Sequence, residues 1–172
     1  MATALFTHDD SLRHLTPPGH PERVERAQAV AAALAAPRFD ALVRRASPLA
    51  AEAEVLRAHP ASHLEAIRAN IPLTGFNPVD GDTFMSEGSF DAALRAVGGC
   101  GAAVDAVLAG EVTNAFVACR PPGHHAERSK AMGFCLFGNV AVAAKRALDL
   151  HGLHRVAIVD FDVHHGNGTQ DI

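Results

Sequence analysis

The chain has 172 residues, 48% of them hydrophobic and 20% charged, which suits one globular domain and excludes a disordered tail. Lys and Arg number 15 against 19 Asp and Glu, and the net charge of −4 argues against nucleic acid as a partner held by bulk charge. No apolar run reaches transmembrane length, and residues 1–10 lack a basic leader followed by an apolar stretch, so no membrane partner and a cytoplasmic location are expected.

Residues 4–7 are a short apolar run suited to a first strand. Residues 16–23, rich in Pro and Gly, read as a loop, and a helix over 22–35 is stopped by Pro37. Arg44 and Arg45 read as a solvated pair. Residues 55–59 suit a short strand, and Pro60 opens a helix to about residue 69. His59 and His63 stand at helical i, i+4 spacing, but Pro60 and the lack of a following Glu break the metalloprotease pattern, so solvated histidines at a helix start are expected. Residues 70–83, with Pro72, Gly75, Pro78 and Gly81, form a long loop.

Ser86 is placed to cap a helix reaching about residue 109, with Phe90, Leu94, Val97, Val104 and Leu108 on one face. Gly98, Gly99 and Gly101 within it imply close packing against a neighbour. Residues 114–119 are a continuous apolar run typical of a buried parallel strand, residues 139–150 a helix ending before Gly152, and residues 155–160 the next strand. This β-α-β succession predicts an α/β fold with a mainly parallel sheet.

Ligands of open parallel sheets bind at the carboxyl ends of the strands, and both strands of this unit run into polar clusters there. The first leads to Arg120-Pro121-Pro122-Gly123-His124-His125-Ala126-Glu127, the second to Asp160-Phe161-Asp162-Val163-His164-His165-Gly166-Asn167-Gly168-Thr169. In extended backbone Asp160, Asp162 and His164 share one face, where two carboxylates and an imidazole repel and desolvate one another unless a cation sits among them. Oxygen and nitrogen donors of this kind suit Zn²⁺ or another first-row divalent ion. The His124-His125 pair taken alone reads as well as solvated or capping residues. Beside a metal it offers a general base, since imidazole has the right pKa. Cys100, Cys119 and Cys135 are odd in number and widely spaced, which speaks for small buried thiols rather than a disulfide or zinc knuckle.

The motifs R-P-P-G-H-H-A-E, G-F-C-L-F-G-N-V-A-V-A-A (residues 133–144) and D-F-D-V-H-H-G-N-G-T-Q together resemble the histone deacetylase family of the arginase/deacetylase superfamily. The likeness is to its class II-like branch, which includes bacterial acetoin-utilization proteins and acetylpolyamine amidohydrolases. Gly19-His20-Pro21-Glu22-Arg23 and Val24-Glu25-Arg26 resemble the family's H-P-E-R-P-E-R element, with Val24 replacing its second proline. The resemblance runs from about Leu5 to the last residue. It implies a three-layer sandwich around a mainly parallel sheet, of which residues 1–172 are the N-terminal portion of a single domain, apparently truncated.

By resemblance, Asp162 and His164 match two of three zinc ligands. His125 matches the general base and His124 an electrostatic partner held by Asp160, with Asn167 behind the second histidine. Gly133 and Phe134 match the wall of an acyl-lysine tunnel, Asp82 a rim residue holding substrate backbone, and Arg26 an arginine of an internal acetate channel. Asp160, with the backbone carbonyls of Asp162 and His164, matches a monovalent cation site, K⁺ being the ion implied. The family's further Asp ligand and its carbonyl-polarising Tyr both lie well beyond the D-x-D-x-H motif and are not matched here, and the chain contains no Tyr.

Three functions stay open on this reading. One is zinc-dependent hydrolysis of an N-acetyl amide, on acetyl-lysine or an acetylated polyamine. The second is a catalytically inactive metal-binding or interaction fragment. The third is one half of a split enzyme, self-associating or completed by a C-terminal chain.

Overall fold

The computed structural model describes residues 2–172. In chain order its elements are β1 (Thr3–Thr7), α1 (Val24–Leu34), β2 (Val43–Ala46), α2 (Glu52–Val55), α3 (Ala61–Ala69), β3 (Asn77–Pro78), β4 (Phe84–Met85), α4 (Ser89–Leu108), β5 (Asn114–Val117), α5 (Asn139–Asp149) and α6 (Asn167–Asp171). β2, β1 and β5 pair in that order, all parallel, with Leu5 opposite both Arg44 and Phe116. β3 and β4 make a two-residue antiparallel ladder in the loop before α4.

Side chains of β1 alternate between the two faces of the sheet. Ala4 and Phe6 pack with Ala103, Ala106 and Val112 on the α4 side, whereas Leu5 and Thr7 face a cavity beneath α1. Helices on both faces of a parallel sheet make the α/β three-layer arrangement expected from the β-α-β pattern. Among the described residues no helix is long and apolar enough to cross a membrane.

The main core lies between α3, α4 and α5, where Leu64, Ile67, Phe90, Leu94, Val97, Phe137 and Val142 are all buried. Val104 is only half-buried and Leu108 is exposed, so the predicted stripe of α4 does not run its full length. Gly101, Ala103 and Ala106 are buried in its place. The physical reason is the nearness of the sheet, which small side chains alone admit. Gly99 marks the same approach, because a Cβ there would stand 2.6 Å from the Ser47 hydroxyl oxygen.

Three expectations are corrected. Residues 55–59 are not a strand; α2 ends at Val55 and a turn follows, leaving His59 in the core. Arg44 and Arg45 are not a free solvated pair but lie in β2, where Arg45 pairs with Glu111 at 2.7 Å. Residues 155–160 form no strand either, for every residue from 151 to 165 is exposed and none joins the sheet. Among the described residues β5 therefore has one paired edge, and Phe116 on it is 50% exposed rather than buried. A β-rich run becomes a strand only when a neighbour offers its backbone groups.

Candidate functional site

The loop leaving β5 is anchored by Arg120, which is buried. Its guanidinium donates to both carboxylate oxygens of the fully buried Glu22, at 2.5 and 2.6 Å, and to the carbonyls of Ser11 at 2.8 Å and His14 at 3.0 Å. Burial alone would raise the Glu22 carboxyl. Hydrogen bonds from His14 and Arg120 and the Arg120 charge outweigh it and bring the pKa down to about 2. A buried charge pair this fully hydrogen-bonded fixes the start of the loop in space.

His124 and His125 follow, with ring centroids 4.0 Å apart. His124 Nδ1 stands 2.9 Å from Asp160 Oδ2, and His125 Nδ1 stands 2.7 Å from Asn167 Oδ1. The hydrogen bond from His124 is the main cause holding the Asp160 carboxyl below its usual range. α6 docks against this loop: the N–H groups of Gly168 and Thr169 donate to the His124 carbonyl at 2.9 and 3.2 Å. Gly168 lies so close to the Ala126 backbone that a Cβ there would overlap it, and Gly166 lies as close to the Asp160 carboxylate. The glycines of the Gly-Asn-Gly turn thus let Asp160 and Asn167 reach the two histidines together.

Gly133 and Phe134 take positive φ angles of 55° and 69°. For Gly133 this is inexpensive, and a Cβ there would meet the His125 ring at 2.5 Å. For Phe134 it is an uncommon conformation, held by the N–H bond to Thr83 Oγ1 at 2.9 Å. The His20 ring stacks edge-on against Phe134, with centroids 4.9 Å apart, and reaches the Asp82 carbonyl at 2.9 Å. Asp82, His125, Met132, Gly133 and Asn167 line one cavity of about 450 Å³.

Asp162 and His164 sit beyond it, with the His125 and His164 ring centroids 6.0 Å apart. Asp162 Oδ1 is 3.2 Å from His164 Nδ1 and accepts from the His164 N–H at 2.8 Å. That backbone bond is the first cause drawing the Asp162 carboxyl down. Two donors on a tetrahedral zinc, each ~2.1 Å from the ion, are ~3.4 Å apart, so the pair has the donor types and the separation such an ion takes. Among the described residues no three His, Cys, Asp or Glu side chains converge as a metal cluster. The pair offers two ligands of a set that needs at least three.

Arg26 does not join this constellation. It lies on α1 with its side chain 61% exposed, 3.8 Å from Glu22, lining a separate cavity of about 400 Å³ with Leu5, Val30 and Phe116. Cys135 is buried, and burial pushes its thiol up to about 12; its sulfur accepts from the His125 N–H at 3.4 Å. A thiol in that state is inert packing. His59 and His63 correct the expectation of solvated side chains. Both are buried and their rings stack at 4.6 Å; His59 Nδ1 donates to the Arg128 carbonyl and Nε2 accepts from the Gly138 N–H. They tie the floor of the histidine loop to α3 and hold no metal pattern.

Sequence reasoning assigned no role to three residues at this site. Glu22 and Arg120 appeared only as letters within motifs, though a Glu and an Arg inside otherwise Pro- and Gly-rich loops are a signal for a buried pair. Glu127 likewise ends the R-P-P-G-H-H-A-E run, and its Oε1 accepts from Asn167 Nδ2 at 2.8 Å.

The chain is similar to known proteins along nearly its whole length. The model of the histone deacetylase domain matches residues 20–172. A histone deacetylase-like amidohydrolase of Pseudomonas aeruginosa is 48% identical over 128 residues, 74% of this chain and 33% of that protein. The polyamine deacetylase HDAC10 of Homo sapiens is 38% identical over 99% of this chain and 27% of its own length. The crystal structure of the HDA15 HD domain superposes with a TM-score of 0.93 at 37% identity, covering 99% of this chain and 50% of that one. The chain thus spans half or less of each of these proteins.

Proposed function

Since this chain belongs to the histone deacetylase domain family, we propose that it carries the proton-transfer side of a site hydrolysing an N-acetyl amide, on acetyl-lysine or an acetylated polyamine. One observation carries the reading: an imidazole, His125, is oriented by Asn167 at 2.7 Å on the wall of a cavity that Asp82 and Gly133 also line. His125 takes the proton of the water that attacks the acyl carbon, and the resulting imidazolium returns it to the departing amine nitrogen. His124, tied to Asp160, stands beside it as an electrostatic partner and fixes its approach. Asp82 at the rim holds the substrate backbone, and Gly133 with Phe134 forms the wall along the acyl-bearing chain. The name polyamine deacetylase, carried by the human relative, supports the polyamine as an alternative to lysine.

Asp162 and His164 would hold Zn²⁺ with a further ligand from outside the pair, and Asp160 with the carbonyls of residues 162 and 164 would hold K⁺. A zinc ion bound there supplies Lewis acidity toward the acyl oxygen and the attacking water. A second reading, a half-site completed by another polypeptide or a second copy of this chain, is favoured by apolar exposure. Val159, Phe161 and Val163 are 85%, 97% and 93% exposed, and among the described residues β5 is paired on one edge, with β1.

The test is hydrolysis of an acetyl-lysine peptide and an N-acetylpolyamine with added zinc, by the chain alone and mixed with the remaining half of a relative's domain. Turnover is expected only in the mixture, with kcat lowered roughly 10²–10⁴-fold by His125→Ala. An unchanged kcat in that variant overturns the assignment. Alone, the chain is expected to lose zinc on dialysis; robust turnover with one zinc per chain would show that another residue supplies the missing ligand.

A further inference from the structure

The geometry points to Glu127 as a positioning residue that sets the tautomer of His125 through the amide of Asn167. This rests on the reading of His125 as the base, but its test does not depend on turnover.

The side-chain amide of Asn167 has an accepting end and a donating end, and which end faces the imidazole decides which ring nitrogen carries the proton. Asn167 alone leaves that open, since the amide turned by 180° fits the same space. Glu127 closes the choice. Its carboxylate only accepts, so it takes Nδ2–H of Asn167 at 2.8 Å and leaves Oδ1 facing His125 Nδ1 at 2.7 Å. The thioether sulfur of Met132, 3.5 Å from the same Nδ2, is a weak acceptor favouring the same orientation. Nδ1 of His125 must then donate, and Nε2 keeps the lone pair a base requires. With the amide reversed, Nδ1 would accept, Nε2 would carry the proton, and the ring would have nothing to accept with. In serine-protease triads, where an amide in place of the orienting carboxylate reverses the tautomer, the rate falls ~10⁴-fold.

Both ends of the link are held in place. The Glu127 N–H donates to the Lys130 carbonyl at 2.9 Å, and Arg128 N–H donates to Asp171 Oδ2 at 2.8 Å, clasping the loop to α6, on which Asn167 sits. Glu127 itself does not line the cavity, so its influence passes through Asn167.

The experiment is ¹⁵N-histidine labelling of the full chain, with two-bond ¹H–¹⁵N correlations in alkaline buffer and the His125 signal assigned by its loss in His125→Gln. The parent chain is expected to hold His125 mainly as the Nδ1–H tautomer. Glu127→Gln, whose amide oxygen can still accept from Asn167, is expected to keep it. Glu127→Leu is expected to give a mixture, and Glu127→Lys, a donor only, to reverse it to Nε2–H. Asn167→Asp added to Glu127→Leu is expected to restore Nδ1–H, because a carboxylate accepts in either orientation. A parent-like tautomer in whichever of the Leu and Lys variants is folded overturns the proposal, as does failure of the double variant to restore it. Loss of the base role with the tautomer pattern intact would instead overturn the functional reading alone.

Discussion

His124 and His125 are held from several sides at once, whereas His164 and His165 lie in a segment, 151–165, that is exposed at every residue. The first pair sits on a loop pinned by Arg120 to Glu22, floored by His59 and clasped by α6. The second has a local contact, Asp162 with His164, and its segment has a longer-range tie, Asp160 reaching back to His124. Local geometry thus suffices to bring a carboxylate oxygen and an imidazole nitrogen to 3.2 Å. Burying them, and fixing a ring's tautomer, takes contacts from distant sequence. Polar motifs that look alike on paper differ in order according to what packs behind them.

The contrast is most severely tested at Glu22. Its replacement by Ala leaves the Arg120 guanidinium buried without its partner, and a loss of about 3–5 kcal/mol in urea denaturation is expected. Because the folded carboxyl titrates at about 2, below its ordinary 4.5, this contribution is complete above pH 4.5 and drains away as the pH falls toward 2. A loss under about 1 kcal/mol would mean that the histidine loop is held by something else.

Next comes His59, whose pKa burial lowers to about 4 from 6.5. The unfolded chain takes up that proton first, so stability is flat above pH 6.5 and declines by about 3 kcal/mol as the pH drops to 4. Denaturation midpoints of His59→Gln should lack that share of the decline and keep what the buried His63, lowered by the same cause, contributes. If the variant declines as the parent does, the acid sensitivity belongs to another group.

Gly168→Ala is a smaller perturbation. Its Cβ would overlap the Ala126 backbone, and overpacking of this kind costs about 1–3 kcal/mol. The docking of α6 on the His124 carbonyl should weaken with it, visible as faster amide exchange at residue 168 and at Thr169.

The smallest effect sharpens the other side of the comparison. Phe161 is 97% exposed, so Phe161→Ser should change stability by no more than about 0.5 kcal/mol. A buried strand end would lose several times that, about 3–5 kcal/mol for a large aromatic. Urea denaturation separates the two directly.

Much of the fold was legible from the chain, and the reasons are local. α3 and α5 follow from Pro60 at the start of one and Gly152 beyond the end of the other. The upper part of α4 follows from Phe90, Leu94 and Val97, and the Gly99 approach from a glycine where helices rarely tolerate one. β2 escaped notice because Val43-Arg44-Arg45-Ala46 has no apolar alternation; it is a strand because β1 offers it a ladder. Residues 155–160 failed in the opposite sense, having strand composition and no ladder partner among the described residues.

At the candidate site the sequence by itself determined the inventory: two histidine clusters at the ends of apolar runs, carboxylates at alternate positions, and glycines where the backbone must come close. Those are properties of residue type and spacing, which a chain carries before it folds. Which groups meet was decided by tertiary structure. Glu22 lies 98 residues from Arg120, and Asn167 lies 40 residues from Glu127 and 42 from His125. Contacts at such separations depend on where the sheet and helices place each loop. The direction of a hydrogen bond depends on the chemistry of a third group, here the Glu127 carboxylate, and spacing along a chain does not encode it.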